Sequence, residues 1–119
     1  MAKDYKELKI WQQAMDLVLM VYKATGNMPR EENYGLTNQI RRAAVSIPSN
    51  IAEGESRGTK EFIQFLKIVQ GSMAELETQL ILTSRLNMIE TNKVEDIIDF
   101  MTGVKKQTYN LINKLSKKL

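Results

Sequence analysis

Apolar side chains recur along this chain at steps of three and four residues, and no segment of any length alternates with the period of two that marks a strand. Leu8, Trp11, Met15, Val18 and Tyr22 form one such seam, which predicts a first helix from Tyr5 or Leu8 to about Thr25. The run from Leu17 to Tyr22 is apolar on more than one face, so this helix needs cover on several sides. Two readings fit that excess: a contact with another subunit, or a wide stripe inside one bundle with a few exposed apolar residues. Trp11 lies in the seam and is expected as a core or interface anchor, not as a stacking platform.

The second helical stretch, Tyr34 to Arg57, is the one around which the rest is organised. Its seam is Leu36, Ile40, Ala44, Ile47 and Ile51. Beside the seam runs a polar line of Gln39, Arg42, Ser46, Asn50, Glu53 and Arg57. Ala43, Ala44, Ser49 and Ala52 are small enough to let another helix approach closely. Pro48 removes one backbone donor and is expected to bend the helix there.

The third pattern is the most regular: Phe62, Leu66, Val69, Met73, Leu76, Leu80 and Thr83 alternate steps of four and three. Phe65, Ile68, Leu82 and Leu86 are expected to widen that stripe, and Gly71 to mark a close helix contact. A fourth helix repeats the spacing through Val94, Ile97, Met101, Val104, Thr108, Leu111 and Leu115. The links are Thr25 to Asn33, with Gly26 and Pro29 stopping the first helix, then Gly54 to Gly58, then Asn87 to Asn92. Thr59 is the expected cap of the third helix, and Thr91 or Asn92 of the fourth. The prediction is an all-α, antiparallel up-down-up-down four-helix bundle, residues 1–119 forming one domain.

Composition narrows the chemistry. With no histidine and no cysteine, the chain lacks the commonest general base and metal ligand and any thiolate. No Ser-x-x-Lys motif and no phosphate-binding Gly-x-x-x-x-Gly-Lys loop is present. We therefore expect no enzyme and no cofactor. Glu53, Glu75 and Glu77 are formal candidates for a hard cation, but Glu75 and Glu77, two positions apart, point to different faces. They are better suited to a structural polar network with Gln39, Arg42 and Asn50, in which Glu75 or Glu77 pairs with Arg42 or Arg41. The alternative is that this polar line faces a second subunit. No apolar run approaches the roughly 20 residues of a membrane span, and the first residues lack the apolar stretch of a signal peptide. A cytoplasmic location is the expectation.

The net charge of +3 conceals an asymmetry. Residues 1–99 carry 12 Lys and Arg against 14 acids, a balance of −2, while residues 100–119 carry five lysines and no acid, a balance of +5. Lysines late in a helix complement its dipole; they also suit a phosphate-binding edge. The candidates for nucleic-acid contact are Arg41, Arg42, Arg57, Lys60 and Lys67, then Lys105 and Lys106 of the last helix. No aromatic residue alternates with them, so base stacking is not indicated at this level.

The run GLTNQIRRAAVSIPSNIAEGESRGTKEFIQFLKIVQGSMAELETQL, from Gly35 to Leu80, resembles the signature of small four-helix-bundle proteins encoded in intervening sequences of bacterial large-subunit ribosomal RNA genes. It is also similar to the accessory variability proteins of diversity-generating retroelements. The resemblance begins near Leu8 and covers most of the chain. It implies a bundle that assembles into a ring, a pentamer, and that handles RNA or DNA. Five copies at +3 would carry about +15. For the retroelement relatives it implies a second kind of partner, a reverse transcriptase, with the bundle as a protein-interaction scaffold.

Overall fold

The computed structural model describes residues 4–119. Four helices follow one another: α1 (Lys9–Ala24), α2 (Leu36–Glu55), α3 (Thr59–Arg85) and α4 (Thr91–Ser116). Short 3-10 turns at Tyr5–Glu7 and Arg30–Glu32 precede α1 and α2, and no strand occurs among the described residues. Each helix has two close neighbours, α1 and α3 both lying against α2 and α4, and all four contribute side chains to one core. This is the square of a four-helix bundle with short links and successive helices antiparallel. It measures 46 × 23 × 20 Å, a length set by the 27 residues of α3 at about 1.5 Å rise each.

The α3 seam is buried at every position read from the sequence, Phe62 to Thr83. In α2 the buried line is Ile40, Ala43, Ala44, Ile47, Pro48 and Ile51, and in α4 it is Val94, Ile97, Met101, Val104 and Thr108. Leu111 and Leu115 are only half-buried, because α4 runs on past the core.

Several expectations are corrected. In α1 the core side is Ile10, Ala14, Leu17 and Val21. Of the expected seam, Leu8, Trp11 and Val18 pack at the edge of the core, while Met15 and Tyr22 are 40% and 42% exposed. Small Ala14 lets the neighbouring helices come in on that side, and the bulkier stripe is displaced outward. Gly71 marks no close approach: a Cβ there would meet nothing within 4 Å. The tight crossing is at Gly54, where a Cβ would lie 2.6 Å from the Cβ of Phe65. Ile68, Leu82 and Leu86 do not widen the buried stripe; each is exposed.

α2 runs through Pro48 without a break in the helix, and Pro48 is buried. Thr59 and Thr91 are the first helical residues rather than caps; Gly58 and Glu90 stand at the cap positions. α3 closes with Asn87 left-handed at φ 59°, the amide of Met88 reaching back to the Thr83 carbonyl and that of Asn87 to Ser84. That pair of bonds satisfies carbonyls a helix end otherwise leaves open.

Candidate functional site

The polar line of α2 lies on the outside of the bundle, with a cleft on each side of it. On the α3 side, Gln39, Arg42, Ser46 and Asn50 face Ile68, Ser72, Glu75 and Gln79 across an open groove. One direct hydrogen bond spans it, between the hydroxyls of Ser46 and Ser72 at 2.7 Å. The Asn50 amide donates to the Ser46 carbonyl within α2. The expected ion pairs across this groove do not form among the described residues. Glu77 faces α4 and pairs with Lys105, Glu53 pairs with Arg57 one turn on, and Glu75 and Arg42 share the groove without an ion pair. The geometry explains this: one position along α3 turns a side chain by about 100°, so Glu77 and Glu75 serve different neighbours.

On the α1 side, the beginning of α2 and the end of α1 border an open cleft of about 720 Å³ lined by Tyr22, Asn33, Thr37, Asn38, Arg41, Arg42, Val45 and Ser46. Arg41 is held there in a fixed pose. Its Nε donates to the hydroxyl of Thr25 at 2.9 Å, and its guanidinium lies over the ring of Tyr22, 4.4 Å from the centroid. Thr25 is itself buried and donates to the Val21 carbonyl. With Nε engaged, the two terminal nitrogens of Arg41 carry the free donors, the fork that matches an oxyanion. Neither Arg41 nor Arg42 is in an ion pair among the described residues.

Thr37 adds an unmet requirement. It is 5% exposed, and its hydroxyl has no hydrogen-bond partner. Elsewhere in the helices Thr78, Thr102 and Thr108 donate to the carbonyl four residues back. Thr37 is the second residue of α2, so the residue four back, Asn33, lies in the preceding turn. An unsatisfied buried hydroxyl costs about 1–3 kcal/mol. The opening amides of α2 are similarly placed: Leu36 donates to the Glu32 carboxylate, whereas Thr37 and Asn38 have no backbone acceptor among the described residues. Such amides, with the helix dipole behind them, favour an anion.

The remaining candidates do not converge on this cleft. Arg57 and Lys60 lie at the far end of α2, about 24 Å along the axis from Arg41 at 1.5 Å per residue. Arg57 is committed to Glu53 and lies over the ring of Phe65. Lys67 is exposed on α3 and Lys106 on α4, and Lys105 is taken by Glu77. The antiparallel register of α4 on α3 carries Lys114, Lys117 and Lys118 toward the Arg57 end. Among the described residues no three carboxylates gather as a metal site, and no helix is long and apolar enough to cross a membrane. Tyr34 is the residue that sequence reasoning missed: it is 98% exposed in the turn just ahead of α2. Its only signal was its place between two polar runs, next to Gly35.

A second surface is apolar. Tyr5, Trp11, Met15 and Val18 of the first segment, with Val45, Pro48, Ser49 and Ala52 of α2, line a shallow groove. Trp11 stands edge-on to Tyr5 at 5.5 Å. Leu19, 67% exposed, extends the apolar surface of α1.

The profile of the 23S rRNA-intervening sequence protein family matches residues 6–110. Among solved structures, a protein of unknown function from the S23 ribosomal protein family of Bacteroides thetaiotaomicron VPI-5482 superposes with a TM-score of 0.77. It is 25% identical, and the match covers 87% of this chain and 97% of that one. No curated protein sequence matches the chain.

Proposed function

The chain belongs to the 23S rRNA-intervening sequence protein family, and from that premise we propose that it is a non-enzymatic, homo-oligomeric bundle that binds structured RNA or DNA through backbone phosphates. The observation that carries this reading is the cleft at the start of α2, where Arg41 and Arg42 stand without a carboxylate partner beside open helix amides. Phosphate oxygens are the ligands that such a set of fixed donors suits. Self-association is supported by the exposed apolar side chains of Met15 and Leu19 on α1, more than a lone subunit gains from exposing; closure as a ring, a pentamer, is what the family resemblance implies. A ring repeats the cleft around an axis and adds its charge copy by copy.

The test is a titration of labelled RNA at 50 and 200 mM salt, in concentrations at which the oligomer's mass has been measured. Four phosphate contacts per site predict a loss of roughly 100-fold in affinity between the two. Binding that is absent, or indifferent to salt, refutes the reading. The second reading, a scaffold that offers the groove between α1 and α2 to a protein such as a reverse transcriptase, has that groove's apolar lining as its support. Capture of a reverse transcriptase that survives nuclease treatment and is lost on Met15→Lys favours it over the first.

A further inference from the structure

The cleft between α1 and α2 has more definition than backbone attraction requires. We infer that it seats a single phosphate group, that of an unpaired nucleotide whose base stacks on Tyr34. The identity of the ligand rests on the nucleic-acid reading above; the seat itself rests on Thr37 and Arg41.

Three features define the seat. Thr37 lines the cleft and holds a buried hydroxyl with no partner, a donor for which an incoming phosphate oxygen is the missing acceptor. Arg41 is fixed by Thr25 and Tyr22, so its terminal nitrogens are presented in advance rather than ordered on binding. The amides of Thr37 and Asn38 open α2 without backbone acceptors. The Glu32 carboxylate is the anion nearest in the chain; it is turned to the amide of Leu36 and is not part of the cleft lining.

Tyr22 already has Arg41 over one face of its ring and cannot offer that face to a base. Tyr34 can offer its ring. It is almost wholly exposed and directly follows Asn33, a lining residue, in the chain, without itself lining the cleft. An aromatic face beside a phosphate seat fits an unstacked nucleotide, since bases inside a duplex have no free face to offer. The site therefore distinguishes looped or single-stranded RNA from a continuous helix, with little preference among bases.

Two measurements test this together. Inorganic phosphate titrated into the full-length protein, followed by amide chemical shifts, should move Thr37 and Asn38 first, and Thr37→Val or Arg41→Lys should suppress the shifts. Thr37→Val removes only an unsatisfied hydroxyl, so it should fold as wild type. A 5′-phosphorylated single-stranded RNA should bind about tenfold more tightly than a duplex of equal length. Tyr34→Ala should abolish that preference and Tyr34→Phe keep it, while Thr37→Val should lower single-strand affinity about tenfold. Shifts confined to the lysines of α4, or variants that bind single strands as wild type does, overturn the inference. Shifts at Thr37 and Asn38 without any RNA binding overturn the nucleotide assignment and the nucleic-acid reading with it, and leave a seat for free phosphate. RNA binding without shifts at these amides overturns the seat alone.

Discussion

Replacing Gly54 by alanine tests the packing between α2 and α3 at its tightest point. On propensity alone the change is favourable, since glycine inside a helix is about 1 kcal/mol worse than alanine. The structure reverses the sign. The new Cβ would lie 2.6 Å from the Cβ of Phe65, 3.0 Å from a ring carbon of Phe62 and 3.1 Å from Cγ of Phe65. The Phe65 Cβ is the stem of its side chain, so no rotamer change removes it, and Arg57 lies over the ring as well. Restoring a carbon–carbon distance near 3.5 Å requires α3 to back off by about 1 Å, which loosens the contacts around Phe62 and Ile51. Overpacking of this kind costs about 1–3 kcal/mol. Taking the upper end against the propensity gain leaves Gly54→Ala destabilised by about 2 kcal/mol. For a chain of 119 residues that is a fall of about 8 °C in Tm, read by far-UV circular dichroism at fixed protein concentration. Gly71→Ala is the matched control: the position is exposed, nothing lies within 4 Å, and a rise of about 2–4 °C is expected. Equal or greater stability of Gly54→Ala would refute the account of how these two helices meet.

Leu66 has no solvent exposure, and Leu66→Ala should cost about 2–5 kcal/mol in urea unfolding; a cost under 1 kcal/mol would place it outside the core. Lys105→Met should change stability by less than about 1 kcal/mol, because both partners of its pair with Glu77 retain water contact. Leu19→Lys should leave helical content unchanged in the same spectra, yet lower the mass in solution if the α1 surface joins subunits; an unchanged oligomer would exclude Leu19 from the contact.

Helix number, order and the seams of α3 and α4 are legible from spacing because a single unbroken heptad runs along each, which fixes its phase. α1 is different. Its apolar residues fall on two adjacent stripes, and periodicity cannot say which one faces inward. The heavier side chains, Trp11, Met15 and Tyr22, draw the reading to the wrong stripe, whereas the small Ala14 marks the side where helices approach. The same ambiguity affects the glycines. Both Gly54 and Gly71 lie inside helices, and only the neighbour opposite, Phe65 in one case and open solvent in the other, separates a necessary glycine from a dispensable one.

The candidate site was legible in part. Arg41 and Arg42 are visible as basic residues, but Tyr22 under Arg41, and Thr25 behind it, come from a different helix sixteen or more residues away. Thr37 gives no sign in sequence that its hydroxyl will be left without a partner, since that depends on where the turn before α2 ends. Tyr34 follows the same logic: nothing in its neighbours shows whether the turn will bury it or present it.

The claim on which the functional account turns is that the first turns of α2, not the lysines of α4, meet nucleic acid. Ultraviolet cross-linking of the full-length protein to single-stranded RNA, with mass-spectrometric mapping of the attached peptides, measures this directly. The account predicts that the dominant adduct lies between Asn33 and Arg42, with Tyr34 as the attached residue. Adducts restricted to residues 105–118, or to the Arg57–Lys60 end of the bundle, would contradict it.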